Sequence, residues 1–208
     1  MHHVDIVRIP CRSPGDTSGL EDLLASGRLV AQDIVAVIGK TEGNGGVNDY
    51  TREYATAMLA ACLGRALELS PAQVERRVAF VMSGGTEGVL SPHFTVFTRR
   101  PAGDRAPGAG PRMTLGVAFT RDFLPEEIGR RAQIDETARA VHRAMDDAGI
   151  AGVQDLHFVQ IKCPLLTAAK IGQARARGHE PVTADTYASM AFSRGASALG
   201  VALATGEA

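Results

Sequence analysis

The chain has 208 residues, 45% of them hydrophobic, and a formal net charge of −1 at pH 7. That length suits one large domain or two of about 100 residues, and the near-neutral charge argues against a nucleic-acid or membrane-surface partner held by bulk electrostatics. No run approaches the roughly 18 apolar residues of a membrane-spanning helix, and the opening residues, Asp5 among them, lack the apolar core of a signal peptide. The predicted elements begin with a strand over Val4 to Pro10. A helix follows at Thr17 to Leu24, entered through a capping threonine. Asp33 to Lys40 is a buried-strand pattern that ends in lysine, and a Gly/Asn-rich loop, Thr41 to Gly46, comes next. From about Asp49 to Leu69 the pattern is helical, because Ala55, Met58, Leu59, Cys62, Leu63, Ala66 and Leu67 recur at spacings of three and four. Ser70 and Pro71 read as the cap and first turn of another helix. Arg76 to Met82 then forms a strand that feeds Ser83-Gly84-Gly85, and His93 to Thr98 alternates like one more strand.

Residues 101–111 break every periodicity and are rich in Pro and Gly, as a linker is. Beyond them a strand is expected over Met113 to Thr120 and a helix from about Asp135 to Ala148, stopped by Gly149. A strand from Asp155 to Lys162 follows, then helical stretches near 165–177 and 184–204. The alternation predicts an α/β (α+β) protein of repeated units, each a small sheet packed on helices. The boundaries fall at 1–100 for the first unit, 101–111 for the linker and 112–208 for the second. The repetition is visible in the residues: Asp33 to Lys40 and Asp155 to Lys162 each run from an acid through β-formers to a lysine. A helix carrying an arginine follows each, with Arg52 in the first and Arg194 in the second. The spacing from Arg52 to Ser83, repeated from Arg194, falls at about position 225, so the second unit is expected to be incomplete within these residues.

Ser83-Gly84-Gly85 is the most informative turn. A serine at a strand end, with glycines beside it, clears space around its hydroxyl and lets backbone N–H groups approach a carbonyl or oxyanion. Lysines at strand ends can serve as bases when burial or neighbouring cations lower their pKa. Arginine forks can hold carbonyl oxygens.

Together, the run from Ser83 to His93, the strand-end Lys40 and Lys162 and the helix arginines Arg52 and Arg194 resemble the cyanuric acid hydrolase/barbiturase family of ring-opening amidases, along essentially the whole chain. The resemblance implies three homologous units about a pseudo-threefold axis in a barrel-like assembly, of which about one and a half are present. It implies hydrolytic opening of a small cyclic ureide, cyanuric or barbituric acid in type, without an organic cofactor; a structural divalent ion would belong to the third unit, and no metal site is expected in this chain. Lys162 carries over as the lysine that activates a serine lying beyond these residues. Arg52, Ser83, Gly84 and Arg194 carry over as substrate-gripping groups, and Lys40 as the equivalent lysine supporting the charge of the site; Ser83 and Lys40 join Lys162 among the candidate catalytic residues. The expected partners are the ureide and a complementing C-terminal polypeptide, without which the chain is expected to be inactive, with a homo-oligomer for the complete protein, no nucleic acid and no membrane.

Other readings stand beside this one. The chain can be a noncatalytic ligand-binding or assembly subunit of the same fold, or an amidase with its own Ser83–Lys40 dyad. Ile38-Gly39-Lys40-Thr41 resembles a P-loop ending, but its glycine-rich loop follows the lysine instead of preceding it. Gly43-Asn44-Gly45-Gly46 reads as a flap or a close backbone approach. His93, His142, His157 and His179 show no paired ligand spacing and read as structural or exposed. Cys11, Cys62 and Cys163 fit reduced cytosolic thiols, consistent with an expected cytoplasmic location.

Overall fold

The computed structural model describes residues 2–85, 88–101 and 113–208. Apart from Pro101, the expected linker lies outside them. The chain divides into two compact units, Met1–Thr114 and Leu115–Ala208, and the architecture is mixed α/β.

The first unit runs β1 (His2–Pro10), α1 (Ser18–Ala25), a 3-10 turn (Ala31–Asp33), β2 (Ile34–Lys40), α2 (Thr51–Leu67), α3 (Pro71–Arg77), β3 (Ala79–Ser83) and β4 (His93–Pro101). Its four strands are ordered β1-β4-β2-β3. β4 is antiparallel to both β1 and β2, whereas β2 and β3 are parallel. A parallel pair needs a long crossover, and α2 and α3 supply it. β2 and β3 therefore finish at the same edge of the sheet, with Lys40 opposite Ser83. One face of the sheet, through Val37, Phe80, Phe94 and Val96, buries itself against Leu20 of α1, Leu59 and Leu63 of α2 and Val74 of α3.

The boundaries follow from identifiable caps. α2 ends at Leu67 and not Leu69, because Glu68 adopts a left-handed φ of 57°; Leu69 N–H then returns to Gly64 O at 3.0 Å. In the α2 stripe Ala66 is exposed, while Thr56 and Ala60 are buried. Ser70 and Gln73 form a reciprocal capping box and Pro71 opens α3, so Arg76 and Arg77 end a helix instead of beginning the strand.

The second unit contains α4 (Arg131–Ala148), α5 (Ala168–Ala176) and α6 (Thr186–Thr205), with single 3-10 turns at Pro125–Glu127 and Val153–Asp155. α4 starts a turn earlier than expected and ends where Gly149 takes φ 70°. Ala138, Val141 and Met145 of α4 pack with Ala204 of α6. The two helices cross closely enough at Gly200 that a Cβ there would lie 2.6 Å from Ile134 O.

The strands expected at Met113 to Thr120 and Asp155 to Lys162 do not form ladders. In the first unit β1 and β2 never pair with each other; both depend on β4, and β2 also on β3. The described residues of the second unit contain no strand to play either part. Side chains of α4 hold the first segment instead, with Val117 N–H donating to Asp147 Oδ2 (2.8 Å) and Arg143 Nη2 to Phe119 O (3.1 Å). Among the described residues no helix is long and apolar enough to cross a membrane.

Candidate functional site

The parallel pairing of β2 with β3 builds the first part of the site. Lys40 Nζ donates a hydrogen bond to Ser83 Oγ at 3.0 Å, and both residues are half-buried. The backbone beneath them is fixed by Thr41 N–H, which donates to Ser83 O at 2.9 Å. An ammonium group can only donate, whereas a hydroxyl both accepts and donates. With its oxygen accepting from Lys40, Ser83 keeps its own proton for another acceptor. On the other side of β2, Lys40 is opposite His93 of β4, whose Nδ1 lies 2.7 Å from Ser91 O.

The two glycines after Ser83 are fixed by different constraints. Gly85 has φ +75°, and its N–H donates to Gly43 O at 2.6 Å. That N–H is committed to the protein and does not face a ligand. Gly84 is glycine for reasons of space, since a Cβ there would lie 2.1 Å from Asp49 Oδ2. The Gly43 to Gly46 loop is thus a close backbone approach to the serine turn.

Asp49, absent from the residues picked out in the sequence, organises this region. Its side chain is fully buried. Oδ2 accepts from Gly45 N–H (2.9 Å) and Oδ1 from Thr51 N–H (3.1 Å), with the Thr51 hydroxyl also bonded to Oδ1. Arg52 Nε lies 3.7 Å from Oδ2, and Arg52 Nη2 donates to Gly46 O. Burial pushes the carboxyl pKa up, but the Thr51 hydroxyl, the two N–H groups and the Arg52 charge outweigh it, and the net shift is below the ordinary value. A sequence signal existed: an Asp two residues before a helix start, bonding the N–H two residues on, is an Asx-turn.

In the second unit Lys162 and Arg194 are both exposed. Arg194 sits midway along α6 and not on an N-terminal turn, with Nε donating to Met190 O at 3.2 Å. It lines an open cavity of about 340 Å³ with Ile161, Cys163 and Ser197 among others, and Lys162 is not in that lining. Beside Arg194 on α6 runs a stripe of buried serines, Ser189, Ser193 and Ser197. Gln133 Nε2 lies 3.0 Å from Ser193 O, Ser193 Oγ and Ser197 Oγ, while Leu166 N–H donates to Ser189 Oγ at 3.0 Å. These contacts hold the helix so that Arg194 faces outward. The structure therefore joins Lys40 and Ser83 by a hydrogen bond, sets Arg52 beside the Asp49 carboxylate and leaves Gly84 packed against it, and places Lys162 outside the lining of the cavity that Arg194 borders.

Comparison with known proteins follows the same outline. Residues 5–208 match the family described as amidohydrolase ring-opening protein. A cyanuric acid amidohydrolase from Pseudomonas sp. (strain ADP) is 75% identical, over all of this chain and 57% of its own length. Another from Bradyrhizobium diazoefficiens is 61% identical over 98% of this chain and 55% of its own. A solved cyanuric acid hydrolase, 75% identical, superposes with a TM-score of 0.96 over the whole chain and 57% of that structure. The chain thus spans little more than half the length of the relatives it matches.

Proposed function

This chain belongs to the ring-opening amidohydrolase family, and from that premise we propose that the whole protein opens a cyclic imide or ureide, such as cyanuric or barbituric acid, by Ser-Lys chemistry. Lys162 takes the proton of a serine that is not among these 208 residues. The serine oxygen attacks a ring carbonyl, the ring C–N bond breaks as its nitrogen takes the proton, and water releases the acyl group as an acid. No organic cofactor enters these steps. The first unit supplies a grip: Ser83 directs its hydroxyl proton to a ring carbonyl, Arg52 offers guanidinium N–H groups to another, and Lys40 adds positive charge where a carbonyl becomes an oxyanion. Arg194 does the same from the second unit. Turnover belongs to the complete cytoplasmic protein, a homo-oligomer in this reading, and the present chain contributes to it only with the complementing C-terminal sequence.

The observation that carries this reading is the 3.0 Å bond from Lys40 Nζ to Ser83 Oγ. The same bond favours one alternative, in which Lys40 and Ser83 are themselves the base and nucleophile. Substitution in the complete protein, assayed on cyanuric and barbituric acids, separates the two. Lys162→Ala is expected to lower kcat by about a thousandfold or more, and Ser83→Ala to act mainly on KM, by roughly tenfold. Loss of all turnover in Ser83→Ala, with Lys162→Ala active, would establish the alternative instead.

A further inference from the structure

We propose that Asp49 is the positioning residue of the first unit's grip, locking the Gly43 to Gly46 loop against the Ser83-Gly84-Gly85 turn and setting the direction of Arg52. The inference rests on the reading of Ser83 and Arg52 as substrate-holding groups. Three observations converge on one carboxylate. Its oxygens bond the loop at Gly45 and the start of α2 at Thr51, and Arg52 Nε stands 3.7 Å away. Its slot is made by two missing side chains, for a Cβ at Gly43 would come within 1.8 Å of Oδ1 and one at Gly84 within 2.1 Å of Oδ2. Neither glycine has a positive φ, so space and not backbone conformation demands them. Finally, the loop grips the serine turn, because Gly43 O accepts Gly85 N–H at 2.6 Å and a Cβ at Gly45 would sit 3.0 Å from Gly85 Cα.

The two carboxylate oxygens divide the work. Oδ1 serves Thr51, and an Asx-turn at the start of α2 needs no more than that. Oδ2 serves Gly45 and Arg52 and lies against Gly84, and none of these contacts is needed to begin the helix. An asparagine at this position keeps an Oδ1 acceptor but turns an NH₂ donor toward Gly45 N–H and the Arg52 guanidinium. Asp49→Asn therefore separates positioning from capping.

The experiment places Asp49→Asn, Ser83→Ala and Arg52→Ala in the complete protein and measures KM and kcat on cyanuric acid, with amide hydrogen exchange by mass spectrometry on the same samples. Asp49→Asn is expected to raise KM about tenfold, the scale of one lost charge-assisted hydrogen bond, with kcat changed by less than about threefold. Exchange should quicken in peptides covering 43–46 and 83–85 and stay unchanged along α2. An unchanged KM in Asp49→Asn, while Ser83→Ala and Arg52→Ala raise it, overturns the positioning role and leaves the grip standing. If neither Ser83→Ala nor Arg52→Ala affects KM, the grip itself fails, and exchange at 43–46 and 83–85 alone decides whether Asp49 holds the turn. Should Asp49→Asn not fold, Gly43→Ala takes its place, since its methyl displaces the same carboxylate; a similar KM rise supports the proposal and an unchanged KM overturns it.

Discussion

Asp49 stays ionised below the usual carboxylate range because the donors around it outweigh its burial, and this ties the serine turn to pH. A carboxyl whose folded pKa is depressed stabilises the protein above its unfolded pKa, near 3.9, and that contribution is lost as pH falls through the folded value. Native protein and Asp49→Asn should therefore differ in Tm at pH 7 and converge as pH drops below about 4. Asp16 and Glu127 are also depressed, by Arg12 and Arg121 respectively, but both persist in the variant and cancel in the difference. Melting curves from pH 7 to 2 check this, and a constant gap would contradict it. The thiols divide as sharply. Burial first, then Asp16 and Glu42, pushes Cys11 up to about 11, and burial with Glu21 does the same for Cys62. At pH 8 each is then ionised in about one molecule in a thousand, and the thiolate is the reactive form. Half-buried Cys163, which lines the cavity beside Arg194, should be alkylated by iodoacetamide well before the other two, as peptide mapping would show. Ser83 and Lys40 could be found from sequence because each ends a strand pattern. Asp49 could not be given its role, because the glycines that make room for it lie on two loops, far apart in sequence, that the parallel pairing of β2 and β3 brings together.

Single side chains also decide how the elements meet. At Gly200 of α6 helix propensity favours alanine by about 1 kcal/mol. The added methyl, however, would lie 2.6 Å from a backbone oxygen, Ile134 O, and 2.5 Å from Thr137 Cβ. Backbone cannot rotate away as a flexible side chain can, so overpacking at about 1–3 kcal/mol wins. Gly200→Ala should lower the stability of the second unit, measured by urea unfolding, whereas an alanine at the uncrowded Gly172 or Gly195 should not. In the first unit Leu59 and Leu63 are fully buried against the sheet, and truncating either to alanine should cost about 2–5 kcal/mol. The amphipathic repeats that place α2 and α4 are written locally, and so are the caps that start α3 and stop α4; these could be read in advance. Pairing is not local. Asp155 to Lys162 has the same β-rich pattern as β2, yet it forms no ladder, because a strand exists only beside another strand.

The asymmetry between the units follows from this dependence. Unit one closes a four-stranded sheet over a single large cluster running from Ile9 to Val96. Unit two relies on two small clusters, one between α4 and α6 and one around Ile128, Leu166 and Ile171. Buried apolar area is the main favourable term in folding, at about 25 cal/mol per Å², and unpaired backbone amides open locally at far lower cost than laddered ones. Hydrogen exchange on this chain should therefore be uneven. Amides of the inner strands β2 and β4 should exchange only through global unfolding of their unit. Those of 116–120 and 157–162, which join no ladder, should exchange far faster, with Val117, bonded to Asp147, slower than its neighbours. The same experiment on the complete protein adds the decisive comparison. If further sequence supplies the strands that β3 and β4 supply in unit one, protection should rise at 155–162 by orders of magnitude and change little in β2. Strong and equal protection of 155–162 in both samples would mean that this segment is ordered by α6 and its cavity wall alone, and that Lys162 needs no neighbouring strand to hold its place; equally weak protection would mean that no further strand pairs with it.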